Sequence, residues 1–176
     1  MFIDPDLMTI EQSKQMQLWP PSNVVALGIA PYINKLSKAR GKLLVLDYGM
    51  RKGENVHILL EKCPDVQIKG IQTHPRYDET LRLNLLQQPN DRFTMGYKDE
   101  EIPDVVCLDC DLIDLDKKMI EFYNKIKVGS ILCGNEQHEV KVKEALGKFR
   151  KETKAGPLLV ANGSWFVYKR KYGQKK

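Results

Sequence analysis

No apolar run in this sequence is long enough to cross a membrane. The longest, Val24 to Leu27, is continued past Gly28 only by Ile29 and Ala30, far below the ~20 residues a membrane helix needs. The start, Met1-Phe2-Ile3-Asp4-Pro5-Asp6, lacks the basic and apolar blocks of a secretory signal. Histidine is scarce, at three residues, and no second Cys-x-x-Cys accompanies Cys107 and Cys110. A zinc site would therefore lack half its ligands. There is no internal repeat, no low-complexity linker, no Arg-rich run and no aromatic RNA-binding motif. Integral membrane proteins and secreted proteins are argued against. A cytoplasmic chain whose cysteines are reduced is expected.

What is present is an ordinary globular mixture, 42% hydrophobic and 29% charged over 176 residues. That length predicts one domain with a sizeable core. The net charge of +5 is unevenly spread. Residues 141 to 176 hold eleven basic and two acidic side chains, a local +9. Such an end can clamp an anionic partner or be a solvated helix face with a frayed tail. Both readings stand at this point.

Periodicity sets the fold class. Apolar runs open at Leu43, Val66, Arg92, Asp104 and Ile131, and helix-like segments follow each. Ser22 is expected to cap a helix from Asn23 to Lys38. Later segments run from Glu54 to Lys62 and from Arg76 to Gln87. Met119, Phe122, Tyr123 and Ile126 form one helical stripe, and Val142, Ala145, Leu146 and Phe149 another. Pro157 to Ala161 and Ser164 to Lys169 flank Asn162-Gly163, a strong hairpin signal. The pattern predicts an α/β fold: a Rossmann-like, doubly wound, mostly parallel seven-stranded sheet closed by a C-terminal antiparallel β-hairpin. Residues 1–40 read as an N-terminal helical extension, and residues 41–176 as the Rossmann-like domain.

In open parallel sheets ligands bind beyond the carboxyl ends of the strands. That rule selects Asp47 to Gly53, Gln72 to Pro75, Gly96-Tyr97, Asp109 to Asp111 and Gly134 to His138. Gly49-x-x-x-Gly53 enters a helix, a turn that can offer backbone N–H groups to an anion. Its alternative is a plain tight turn. Arg51 stands where a dinucleotide fingerprint needs a glycine, which argues against NAD.

The order and spacing of these residues resemble the class I S-adenosylmethionine-dependent methyltransferases, in particular the small O-methyltransferases, over residues 41 to 170. The first motif appears as Asp47-Tyr48-Gly49-Met50-Arg51-Lys52-Gly53. The motif after the fourth strand appears as Leu108-Asp109-Cys110-Asp111-Leu112, and that after the fifth as Gly134-Asn135-Glu136. The resemblance implies an S-adenosylmethionine site at Asp47, Gly49, Met50, Gly53, Gln72, Thr73, Gly96, Tyr97 and Asp109. Gln72 stands where the family carries an acid for the ribose hydroxyls, and Leu112 replaces a histidine. The activity implied is methyl transfer to a small polar acceptor, a hydroxyl by preference. Asp109, Asp111 and His138 are the candidate catalytic residues, although a histidine in a first helical turn is also a common surface residue.

Asp109, Asn135 and Glu136 on adjacent strand ends supply oxygen ligands for Mg²⁺ or Ca²⁺. The plain alternative is that the acids only solvate a strand end. Trp19-Pro20-Pro21 stands where such proteins carry a lid over the cofactor. Packing of Trp19 on the sheet edge is the other reading. Two further functions are weighed: a catalytically lapsed binding module for S-adenosylmethionine or a nucleotide, and a ribose methyltransferase that holds nucleic acid with its basic end. So short a chain leaves little room for a substrate domain, and a homodimer would complete the acceptor pocket.

Overall fold

The computed structural model describes residues 4–87 and 90–171. Lys175 and Lys176 of the basic end lie outside them. The strands are β1 (Leu43–Tyr48), β2 (Val66–Ile71), β3 (Phe93–Met95), β4 (Val105–Leu108), β5 (Ile131–Gly134), β6 (Leu159–Ala161) and β7 (Ser164–Tyr168). They form one sheet in the order β3-β2-β1-β4-β5-β7-β6. The first five are parallel, and β7 runs antiparallel to both β5 and β6. Asn162 and Gly163 join the last two with φ of 50° and 75°, the two positive angles that a type I′ turn requires.

The helices are α1 (Ile10–Gln15), α2 (Val25–Arg40), α3 (Glu54–Lys62), α4 (Asp78–Gln87), α5 (Leu115–Lys125) and α6 (Val140–Thr153). Side chains alternate across each strand. Val45, Val105, Cys107, Ile131 and Phe166 face α2, α3 and α4. Leu46, Val106, Leu108, Leu132, Trp165 and Val167 face α5 and α6. Burial on both faces explains why the strands read as continuous apolar runs. Among the described residues, no helix is long and apolar enough to cross a membrane.

Three local expectations are corrected. The helix expected from Asn23 begins at Val25, after an extended Val24, with no side-chain cap from Ser22. The first-turn N–H of Ala26, which has no partner within the helix, is met by Asn55 Oδ1 of α3 at 3.0 Å. Pro75 opens a 3₁₀ turn, so α4 starts at Asp78 rather than Arg76. The helix α5 ends at Lys125, so Ile126, the last residue of the expected stripe, is its C-cap.

The N-terminal segment lies against α4: Ile10 N–H donates to Asn84 Oδ1 at 2.9 Å, and Thr80 Oγ1 to the Leu7 carbonyl at 3.0 Å. Trp19 meets the His57 ring of α3 edge-on, with centroids 5.0 Å apart. Helix α2, expected within an extension, packs in the main core instead. A β-carbon at Gly28 would overlap the Ala161 carbonyl oxygen, so only glycine lets α2 approach β6 this closely.

Candidate active site

Register assembles the site. Tyr48 pairs with Leu108, and Leu108 with Gly134. The loops after β1, β4 and β5 therefore leave the sheet side by side. Gly49 has φ of 97°, and a β-carbon there would stand 2.5 Å from Asp109 Cβ. The Gly49 and Met50 N–H groups both donate to the Ile71 carbonyl, at 2.8 and 3.1 Å, and Gly53 N–H donates to the Met50 carbonyl at 2.9 Å. The turn thus folds back on itself and on β2, and those three N–H groups are not available to an anion. The plain tight turn, the alternative reading, accounts for these three groups.

Acids gather here instead. Asp47 is 1% exposed. Its Oδ1 accepts Asn55 Nδ2 at 3.2 Å, and its Oδ2 is buried without a hydrogen-bond partner. Burial pushes its pKa up to about 7. The Asn55 hydrogen bond opposes the rise, and the charges of Asp109 and Glu54 add to it. Burial also raises Glu54, despite Lys52 3.7 Å away. A cation placed beside such an acid would favour its charged form.

Arg51 dominates the centre. It adopts φ of 51°, unusual for a residue with a side chain. Its Nε donates to Asp109 Oδ2 at 2.8 Å and its Nη2 to Asp109 Oδ1 at 2.9 Å. The same Nη2 also reaches Asp111 Oδ2. His74 Nε2 lies 3.1 Å from Asp109 Oδ2, and Asp111 N–H donates to Asp109 Oδ1 at 3.2 Å. Burial works against the guanidinium charge, but hydrogen bonds and charge from Asp109, with the charge of Asp111, outweigh it and raise the Arg51 pKa. Burial and the adjacent Asp109 and Asp111 push the Cys110 thiol up to about 12, so it offers no thiolate at neutral pH.

The other expected residues are placed as follows. The Met50 side chain covers Gly70, where a β-carbon would overlap its sulfur. Gln72 gives Nε2 to the Arg51 carbonyl at 2.7 Å and accepts His74 N–H on Oε1 at 3.3 Å, so its amide braces the loop. Thr73 Oγ1 is buried without a hydrogen-bond partner. Gly96 N–H donates to the Gly70 carbonyl at 2.9 Å. The Tyr97 hydroxyl donates to the Glu101 carbonyl at 2.7 Å, and Lys125 Nζ stands 4.7 Å from its ring centroid.

Two cavities meet at Arg51. One lies among Asn23, Gly49, Glu54, Asn55, Asp109 and Asn135. The other, of about 270 Å³, lies among Cys110, Asp111, Glu136, Glu139 and Lys141. Arg51 lines both.

The expected metal ligands do not form one set. Both Asp109 oxygens are occupied by Arg51. Asn135 Oδ1 accepts Cys110 N–H at 3.2 Å. Glu136 takes Asn23 Nδ2 at 2.5 Å and His138 Nε2 at 3.2 Å. His138, expected as a base, is 65% exposed and held between Glu136 and Glu139. The histidine against the Asp109 carboxylate is His74, at 3.1 Å.

Asn23, Arg51, Glu54 and Asn55 were missed as site residues. Glu54 and Asn55 carry a signal, as polar residues opening the helix after the glycine turn. Arg51 carries none, because its direction depends on a left-handed backbone.

No protein-family model matches the chain, and no curated protein matches it by sequence. Solved structures do match. The O-methyltransferase from Bacillus cereus, in complex with SAH, is 13% identical over 96% of this chain and 93% of that one, with a TM-score of 0.62. The O-methyltransferase TomG from Streptomyces achromogenes, involved in tomaymycin synthesis and solved with SAM, is 13% identical over 97% and 92%, with a TM-score of 0.62. Cofactor-bound Rv0187 from MTB is 16% identical over 96% and 91%, with a TM-score of 0.67. At these identities the likeness establishes the fold, the Rossmann-like fold of SAM-dependent O-methyltransferases.

Proposed function

We propose that this chain is a methyltransferase that takes its methyl group from S-adenosylmethionine and passes it to a small polar acceptor, a hydroxyl by preference. One observation carries the reading: the buried, unpartnered Asp47 Oδ2 beside Glu54 and Asp109, at the strand ends where this fold binds its ligand. A dinucleotide would bring a pyrophosphate to this acid-rich wall, where three N–H groups of the turn are already used. S-adenosylmethionine brings a sulfonium and an α-ammonium group, and its sulfonium supplies an electrophilic methyl.

The chain's residues fit such a cation. Glu54 and Asp109 line the first cavity, and Asp47 is buried beside them. Asn55 fixes the Asp47 carboxyl and ties it to the start of α2. Gly49 lets Asp109 close against the loop. In the second cavity Asp111 faces the acceptor side and is the carboxylate we assign to receive the acceptor's proton. Holding donor and acceptor in line is the larger part of the catalysis.

Calorimetric titration with S-adenosylmethionine and S-adenosylhomocysteine, with NAD⁺ as control, tests this reading. Micromolar binding of the sulfur compounds alone is expected, weakened about tenfold or more in Asp47→Asn. No binding below about a millimolar would overturn it.

A further inference from the structure

We propose that Arg51 is the built-in cation of the Asp109–Asp111 carboxylate pair, so that this site works without a divalent metal. The inference does not depend on methyl transfer.

A carboxylate has about four acceptor positions. Those of Asp109 are taken by Arg51 Nε and His74 Nε2 on Oδ2, and by Arg51 Nη2 and Asp111 N–H on Oδ1. The Asp109 side chain is 3% exposed, so water offers no replacement partners. The Arg51 contact is two-pronged, the geometry in which guanidinium and carboxylate bind most specifically. Its third contact, to Asp111, spreads one positive charge over both acids.

The backbone is shaped to deliver this contact. Arg51 keeps a left-handed φ that a side chain disfavours, and Gln72 holds its carbonyl at 2.7 Å. The remaining oxygen donors that would complete a cation site are engaged elsewhere, Asn135 with Cys110 and Glu136 with Asn23. A divalent ion would have to evict Arg51 and leave its guanidinium half-buried without a counter-charge.

The arrangement makes a gain-of-binding prediction. Ligand atoms of His74, Asp109 and Asp111 lie within 4.8 Å of one another. With the guanidinium gone, one imidazole and two carboxylates face a common point, a donor set suited to Mn²⁺.

Mn²⁺ binding is measured by electron paramagnetic resonance on the wild type, Asp111→Asn, Arg51→Ala and Arg51→Ala/Asp111→Asn. The wild type is expected to show no saturable site below about a millimolar. Arg51→Ala is expected to bind at least about tenfold more tightly, and the double variant to lose that gain. Tight wild-type binding that Asp111→Asn abolishes overturns the proposal. So does a folded Arg51→Ala that binds no better than wild type. If Arg51→Ala unfolds alone, recovery of its thermal transition with Mn²⁺ supports the proposal, and no recovery overturns it. A failure of the S-adenosylmethionine titration leaves this result unaffected.

Discussion

Asp47 stores a measurable electrostatic tension. Its carboxyl ionises near 3.8 in the unfolded chain and at about 7 in the fold. That displacement is worth roughly 4 kcal/mol against the charged form. Because the folded pKa is the higher one, the folded state holds the extra proton between these values. The contribution of Asp47 to stability is therefore greatest below pH 4, falls as the pH rises to about 7, and is flat above. Urea unfolding from pH 4 to 8 should show this decline on the background of other groups, and Asp47→Asn should remove it. A bound cation would lower the Asp47 pKa. S-adenosylmethionine binding at pH 6 should then release a fraction of a proton, visible as a dependence of the binding heat on buffer ionisation enthalpy. The places of Asp47, Gly49 and Asp109 at the carboxyl ends of β1 and β4 were legible because they follow directly from where the apolar runs end. The Arg51–Asp109 pair was not: its members are 58 positions apart, and no local pattern states which way a side chain in a left-handed turn will point.

Elements were read well where they are long and periodic, and poorly at their starts. The α5 stripe of Met119, Phe122 and Tyr123 is buried as its spacing implied. The start of α2 was misplaced because its cap comes from Asn55, on another helix. Such a cap leaves no mark beside the helix it serves. Helix α2 lies tightly on β6 at Gly28, where a β-carbon would overlap the Ala161 carbonyl oxygen. Gly28→Ala must push α2 away from a backbone carbonyl that cannot move aside. It should lower stability by roughly 1–3 kcal/mol, read as a lower urea midpoint. Gly134→Ala meets the Trp165 ring at 2.6 Å and should do likewise, whereas Gly147→Ala, with nothing within 4 Å, should not destabilise.

Across the whole molecule, the four cysteines report global integrity. Cys63, Cys107 and Cys133 are buried, and Cys110 is half-buried. Burial lifts the Cys63 thiol to about 11. The contact with Cys133, 3.5 Å between sulfurs, and burial raise Cys107 further. Alkylation at pH 8 should be slow in the native protein, and all four thiols should react together once urea unfolds it. Two or more fast thiols in the native state would contradict this packing. Part of the basic charge of residues 141–176 lies along exposed positions of α6, among them Lys143, Lys148, Arg150 and Lys151. A nucleic-acid acceptor would show affinity falling steeply with salt, whereas a small-molecule acceptor would not.

The sequence by itself determined the alternation of strands and helices, the burial of the sheet on both faces and the reversing turn at Asn162-Gly163. Each is a matter of near neighbours, of period and of backbone preference. Tertiary structure alone decided that the glycine turn spends three of its N–H groups on its own loop and on β2, that one Asp47 oxygen is left unpartnered, and that Arg51 lies against Asp109. Those outcomes depend on strands far apart in the chain coming into register, which sets the distances over which charges and hydrogen bonds act.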